Sequence, residues 1–142
     1  MTRIVALKPW HLRLLAPQPE QTILAAAQLN ERFGEAVLAA GPAWACVDCE
    51  HVYAAAGLAE EAGRTVAWAI LGGDLSRHMV RITRAARARL KTLGDRPVEA
   101  HIRHGHELGE KWAALLGFER DVFSFSVGPD GLRYDKWVLN VS

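Results

Sequence analysis

The sequence predicts a mixed α/β fold built around one central sheet. Short apolar segments of strand length alternate with longer segments whose apolar residues recur every three to four positions. Gly and Pro punctuate the junctions between them. The resulting order is β-α-α-β-β-β-α-β-α-β-β: antiparallel strands, then a β-α-β-α crossover, then a terminal hairpin. A doubly wound sheet would alternate strand and helix throughout. A chain of 142 residues, half of them hydrophobic, suits one domain over residues 1–142 with a sizeable core.

The elements follow in order. Ile4 to Leu7 is an apolar run closed by Pro9 and reads as the first strand. Pro17 and Pro19 mark a helix start that runs to Asn30, since proline is tolerated in a first turn. A second helix fits Glu31 to Ala40, with Phe33, Ala36, Val37 and Ala40 on one side and Gly41-Pro42 as its stop. Ala43 to Cys49 and His51 to Leu58 are strands rich in Val, Trp, Tyr and Cys. Arg64 to Leu71 (RTVAWAIL) is a third strand, broken by Gly72-Gly73-Asp74.

Ser76 to Leu93 carries the clearest helical period. Ser76 is a suitable N-cap, and Met79, Ile82, Ala86, Leu90 and Leu93 form the buried stripe. Pro97 to Arg103 is a strand. Glu107 to Leu116 is a helix with Leu108, Trp112 and Leu115 inward, closed by Gly117. Val122 to Val127 and Leu132 to Val141 are strands joined by the turn Pro129-Asp130-Gly131.

Composition narrows the function only slightly. The net charge is +1 and the charged fraction 23%, so global charge names no partner. Residues 1–71 hold five Lys/Arg against seven Asp/Glu; residues 72–142 hold twelve against nine. No apolar run reaches the length of a membrane span, and the start lacks a signal-peptide pattern. Cytoplasm is therefore the expected compartment. Cys46 and Cys49 form a lone C-x-x-C within a strand. A zinc site wants a second pair and a redox motif opens a helix, so both read as small buried residues.

The segment Lys111-Trp112-Ala113-Ala114-Leu115-Leu116-Gly117-Phe118 ends a helix on glycine and starts a strand on an aromatic core residue. This segment and the element order resemble the GCN5-related N-acetyltransferases (GNAT). From Trp44 onward the chain is similar to small GNAT-like proteins of tailed phages and prophages. The pieces that carry this are Val66-Ala67-Trp68-Ala69, Ser76-Arg77-His78-Met79, the arginine-studded helix and the Pro129-Asp130-Gly131 hairpin. Some of those relatives resemble an internal virion protein of short-tailed phages.

The resemblance implies a mostly antiparallel sheet with one parallel pair, 64–71 beside 97–103, splayed at the C-terminal ends. It implies acetyl-CoA as cofactor, with Leu71, Gly72, Gly73, Ser76 and Arg77 at the pyrophosphate and His104 and His106 at the cleft border. The sequence departs from the family in two places. The usual Arg/Gln-x-x-Gly-x-Gly/Ala loop here reads Leu71-Gly72-Gly73-Asp74-Leu75-Ser76, with an acid where phosphate would sit. The tyrosine that commonly serves as general acid, four residues before the Gly of Gly-Phe, is Ala113.

Candidate bases are Glu50 and His101, with Glu60 and Glu61 as further carboxylates. His101, His104 and His106 cluster beside Arg103. The alternatives are surface histidines, cleft lining or a metal set, and His-x-x-His-x-His is not a zinc spacing, so no metal site is expected. Arg77, Arg81, Arg84 and Lys91 share a helical stripe; it is either a solvated face or a surface for a polyanion. Arg84 and Arg87 are the residues expected at an intermolecular contact, with a virion protein or DNA. Of the five tryptophans, Trp10 is the one expected to be exposed.

Two functions follow. One is a virion-associated or assembly protein, phage- or prophage-encoded, made in the host cytoplasm, with a degenerate acetyl-CoA site. The alternative is an acetyl-CoA-dependent N-acetyltransferase acting on a primary amine.

Overall fold

A computed structural model describes residues 2–15, 31–49, 51–72, 75–128 and 130–139. Seven strands form one sheet: β1 (Arg3–Ala6), β2 (Ala43–Val47), β3 (Val52–Glu61), β4 (Arg64–Leu71), β5 (Val98–Arg103), β6 (Glu119–Val127) and β7 (Arg133–Leu139). Their order is β1-β2-β3-β4-β5-β7-β6. The helices are α1 (Pro9–Leu14), α2 (Glu31–Ala40), α3 (Met79–Lys91) and α4 (Glu107–Leu115), and a 3-10 turn, Ser76–His78, leads into α3.

Every pairing is antiparallel except β4 with β5, which run parallel. Their register holds at Thr65–Val98 and Val66–Glu99, and pairing ends there. The expected splay is present, and it leaves the sheet open between the C-terminal halves of two central strands.

Side chains alternate across the sheet, so each strand feeds two cores. One face carries Ala43, Ala45, Val47, Ala55 and Ile70, packed with Leu7, Leu12 and Leu15 beside α1 and with Val37 of α2. The opposite face carries Cys46, Ala54 and Leu71 against Leu75, Ile82 and Trp112, and continues into Leu58, Val98, Trp137 and Leu139 with Ala113 and Phe118. The stripe predicted for α3 faces this second core: Ile82 is buried, and Met79, Ala86, Leu90 and Leu93 pack against it.

Several expectations need correction. Pro9 does not merely end a strand; it occupies the first turn of α1, where its missing N–H costs nothing. Trp10 in that helix is half exposed, as expected. In α4, Leu108 and Leu115 are exposed, and Gly109, Trp112 and Ala113 face inward instead. Gly109 faces inward because the buried His106 ring occupies the space a Cβ would need. In α2, Gly34 and Val37 make the inward contact while Ala36 and Ala40 are exposed; a Cβ on Gly34 would stand 2.8 Å from Pro9 Cβ. Cys49 is exposed, unlike buried Cys46. The helix expected from Pro17 to Asn30, the side chain of Phe33 and the candidate Glu50 lie outside the described residues.

Candidate functional site

The splay between β4 and β5 opens into an apolar cavity of about 730 Å³. Ala67 and Ala69 of β4, Ala100 and Ile102 of β5, and Trp112 and Ala113 of α4 line it from the α3/α4 side. His101 and Arg103 also line it. They alternate with Ala100 and Ile102 and therefore project from the other face. Tyr134, the register partner of Arg103, joins them. The cavity thus meets both sides of the sheet where the two strands part.

His101, a candidate from the sequence, is anchored here. Its Nε2 lies 3.3 Å from Oε2 of Glu99, a buried carboxylate. Glu99 also faces Arg64 Nη1 at 3.2 Å and Lys136 Nζ at 3.8 Å. Three cationic or protonatable side chains around one buried carboxylate keep its charge paired, as burial requires. With Nε2 toward Glu99, Nδ1 is the nitrogen left to exchange a proton.

The other two histidines part company. His106 is buried at the N-cap of α4 and lines the cavity. Gly109 accommodates it, because a Cβ there would stand 2.8 Å from His106 Nδ1. His104 does not line the cavity. Its Nδ1 is 2.8 Å from Oδ2 of Asp135, and Arg133 Nε donates to Oδ1 of the same carboxylate at 2.8 Å. Burial pushes the Asp135 carboxyl up, but the hydrogen bonds from His104 and Arg133 outweigh it and hold the group below the usual range. The expectation that His104 borders the cleft is corrected: an inward-facing aspartate on β7 captures it.

Leu71 is buried and lines the cavity. Gly72 is tied to β3: its N–H donates to Tyr53 O at 2.9 Å, and a Cβ would come within 2.6 Å of that oxygen. This glycine permits a close backbone approach, and its N–H is committed to the sheet and not to a phosphate. Arg77 is exposed on the 3-10 turn. Gly73 and the Ser76 side chain lie outside the described residues. Among the described residues no group of three or more His, Cys, Asp or Glu could hold a metal ion, and no helix is long and apolar enough to cross a membrane.

On α3, Arg84 is exposed. Arg87 has an intramolecular partner, donating from Nη2 to Leu115 O at 2.7 Å, so it ties α3 to α4. Arg89 lies with its guanidinium 4.5 Å from the Trp44 ring centroid, and both line the cavity. Sequence reasoning missed Glu99, Asp135, Arg89 and Tyr134. One signal was available: Asp135 shares the period-two inward row of Trp137 and Leu139, where a charge must be satisfied internally.

No family model matches the chain, and no curated protein matches it. Solved structures do. An N-acetyltransferase from Staphylococcus aureus Mu50 superposes with TM-score 0.69 at 11% identity, covering 99% of this chain and 97% of that one. The aminoglycoside acetyltransferase AAC(6')-Ib, solved in complex with coenzyme A, gives 0.64 at 15% identity over 99% and 95%. This chain has the GNAT fold. A chimera containing the spermidine N-acetyltransferase of Vibrio cholerae agrees, with TM-score 0.64 at 16% identity over 98% and 95%. At these identities the GNAT likeness concerns the fold, and the site must carry the functional argument.

Proposed function

We propose that the protein is an acyl-coenzyme A-dependent N-acyltransferase that acts on a primary amine, with His101 as the base. The observation that carries this reading is His101 at the β4–β5 opening, held by buried Glu99 and lining a cavity that reaches both faces of the sheet. An acyl donor on the α3/α4 side and an amine on the other side would meet at that opening. The structural neighbours named for acetyl transfer support the same reaction class.

The fit to the cofactor divides along its length. The apolar splay suits the acyl and pantetheine end. Gly72 does not suit phosphate, since its N–H is already used; exposed Arg77, on the 3-10 turn that leads into α3, is the residue that would pair with the pyrophosphate. When bound, the thioester supplies the acyl group: its carbonyl carbon bonds to the amine nitrogen, the C–S bond breaks and the thiolate leaves. His101 takes the proton that the nitrogen sheds, and Glu99 balances the imidazolium. Ala113 offers no proton to the thiolate. Tyr134 lines the cavity, but its hydroxyl donates to Asp130 Oδ2 at 2.8 Å; burial and that bond raise its pKa.

The test is thiol release from acetyl-CoA in the presence of spermidine, an aminoglycoside and a lysine peptide. Amine-dependent release is expected, lowered about 100-fold or more in His101→Gln, the range for removing a general base. Absence of release with every amine, together with absence of calorimetric binding of coenzyme A, overturns the reading. A virion or assembly role has no support in the fold comparisons, and the Arg87–Leu115 bond offers an intramolecular task for one of its two candidate residues.

A further inference from the structure

The cavity extends well beyond the β4–β5 opening, reaching residues of β3 and β2. Protein interiors rarely leave voids larger than a water molecule, and about 730 Å³ falls in the range of sites that enclose a whole small ligand, roughly 300–1,000 Å³. Its size has a residue-level cause. Ala54 and Ala56 on β3, and Ala67 and Ala69 on β4, put methyl groups where a sheet under a helix ordinarily carries branched side chains. Ala86 faces them from α3. At the position where a tyrosine would protrude, Ala113 leaves the space open as well.

The space has a direction. It starts at the β4–β5 opening, where His101 stands, and its lining continues through β3 to Trp44 and Cys46 of β2. From β5 to β2 is three strand spacings, about 14 Å. At the β2 end the Arg89 guanidinium covers the Trp44 ring at 4.5 Å. Between the ends the walls are mostly apolar, with alanine, leucine and isoleucine side chains beside Trp68, Trp112 and Phe118 and with His106 as a polar group among them; such a lining suits a flexible hydrocarbon.

We infer that the acyl donor is a medium- or long-chain acyl thioester, its hydrocarbon chain running from the β4–β5 opening beneath α3 toward Trp44. This rests on the acyl-transfer reading and names its substrate class. The bonds made and broken are those of that reaction, and the longer chain changes only what fills the cavity. A chain that enters tail-first leaves its carbonyl carbon at the opening beside His101, where the thioester sulfur can still continue into coenzyme A.

The experiment is calorimetric titration of the full chain with coenzyme A, acetyl-CoA, octanoyl-CoA and free octanoate. Each buried methylene is worth up to about fourfold in affinity, and octanoyl-CoA carries six more carbons than acetyl-CoA, so it is expected to bind on the order of 1,000-fold tighter. Ala56→Leu fills the channel from β3 and should bring the two affinities together. Ala86→Leu does the same from α3 if the first variant fails to fold. Equal affinities in the unaltered protein overturn the chain site while coenzyme A binding keeps the acyl-transfer reading. Octanoate binding as tightly as octanoyl-CoA overturns it too, by showing a fatty-acid site independent of the thioester. No binding of any coenzyme A species overturns both.

Discussion

The chemistry of single side chains here is set by what burial forces on them. Glu99 is a buried carboxylate in a strand, and it persists because Arg64, His101 and Lys136 surround it. Its role toward His101 is positioning. Glu99→Gln is expected to lower kcat for amine acylation with little change in the KM for the amine, and kinetics that show only a raised KM would contradict this. Asp135 makes a different prediction. Its folded carboxyl titrates below the ordinary value of about 3.9, burial being outweighed by His104 and Arg133. As pH falls, the unfolded chain takes up that proton first. The stabilisation is therefore complete above about pH 4 and drains as pH falls through the lower folded value. Asp135→Asn should cost about 2–3 kcal/mol at neutral pH, the worth of charge-assisted hydrogen bonds, and should flatten the acid limb of a urea-denaturation series.

At the scale of elements, helix ends and faces decide the outcome. Helix α1 starts on Pro9, and His11 Nδ1 accepts the Lys8 backbone N–H at 2.9 Å. Burial, then the Lys8 charge, lower the His11 pKa, so the ring is held neutral and able to accept. Protonation removes that acceptor. The unfolded chain binds the proton first, near the ordinary value of about 6.5, so this stability is present above that pH and lost as pH falls below it. The loss should be about 1 kcal/mol, one cap. His11→Gln keeps an acceptor and should flatten thermal stability between about pH 7 and 5 if this histidine is responsible. Helix α4 depends on Trp112, buried and donating from Nε1 to Thr83 Oγ1 of α3 at 3.1 Å. Trp112→Ala should cost about 3–5 kcal/mol in chemical denaturation, whereas Thr83→Val should cost about 1 kcal/mol.

Across the whole molecule, the sheet is two antiparallel halves joined by a short parallel ladder at Thr65–Val98 and Val66–Glu99. Below the opening, α3 and α4 bridge the halves through Arg87–Leu115 and Trp112–Thr83. A ligand in the cavity would touch both halves at once. An acyl-CoA present at about a hundred times its Kd should therefore add about 2.7 kcal/mol of stability. That corresponds to a rise of roughly 5–10 °C in Tm. The same ligand should slow amide exchange along β4 and β5 together; protection confined to one strand would contradict binding in the opening.

The sequence by itself determined the elements with strong local signals. Arg64–Leu71 and Glu31–Ala40 have the bounds read from their composition. The α3 stripe and the Gly117 stop, at φ 98°, follow from a 3.6-residue period and from the conformation that glycine alone adopts freely. His101, Leu71 and His106, singled out from the element order, all line the cavity. What only the tertiary structure decided is everything that depends on a partner distant in sequence. His101 and Glu99 share a strand face, but Arg64 and Lys136 reach Glu99 only through the β4–β5 and β5–β7 pairings. His104 goes to Asp135 because β7 lies beside β5. Gly72, a phosphate-loop glycine by its position, packs on Tyr53. The cavity itself is written as scattered alanines, each unremarkable in its own strand or helix. Only when the sheet brings β3, β4 and β5 under α3 do those missing side chains add up to a single space, because volume is a property of packing and not of any one segment.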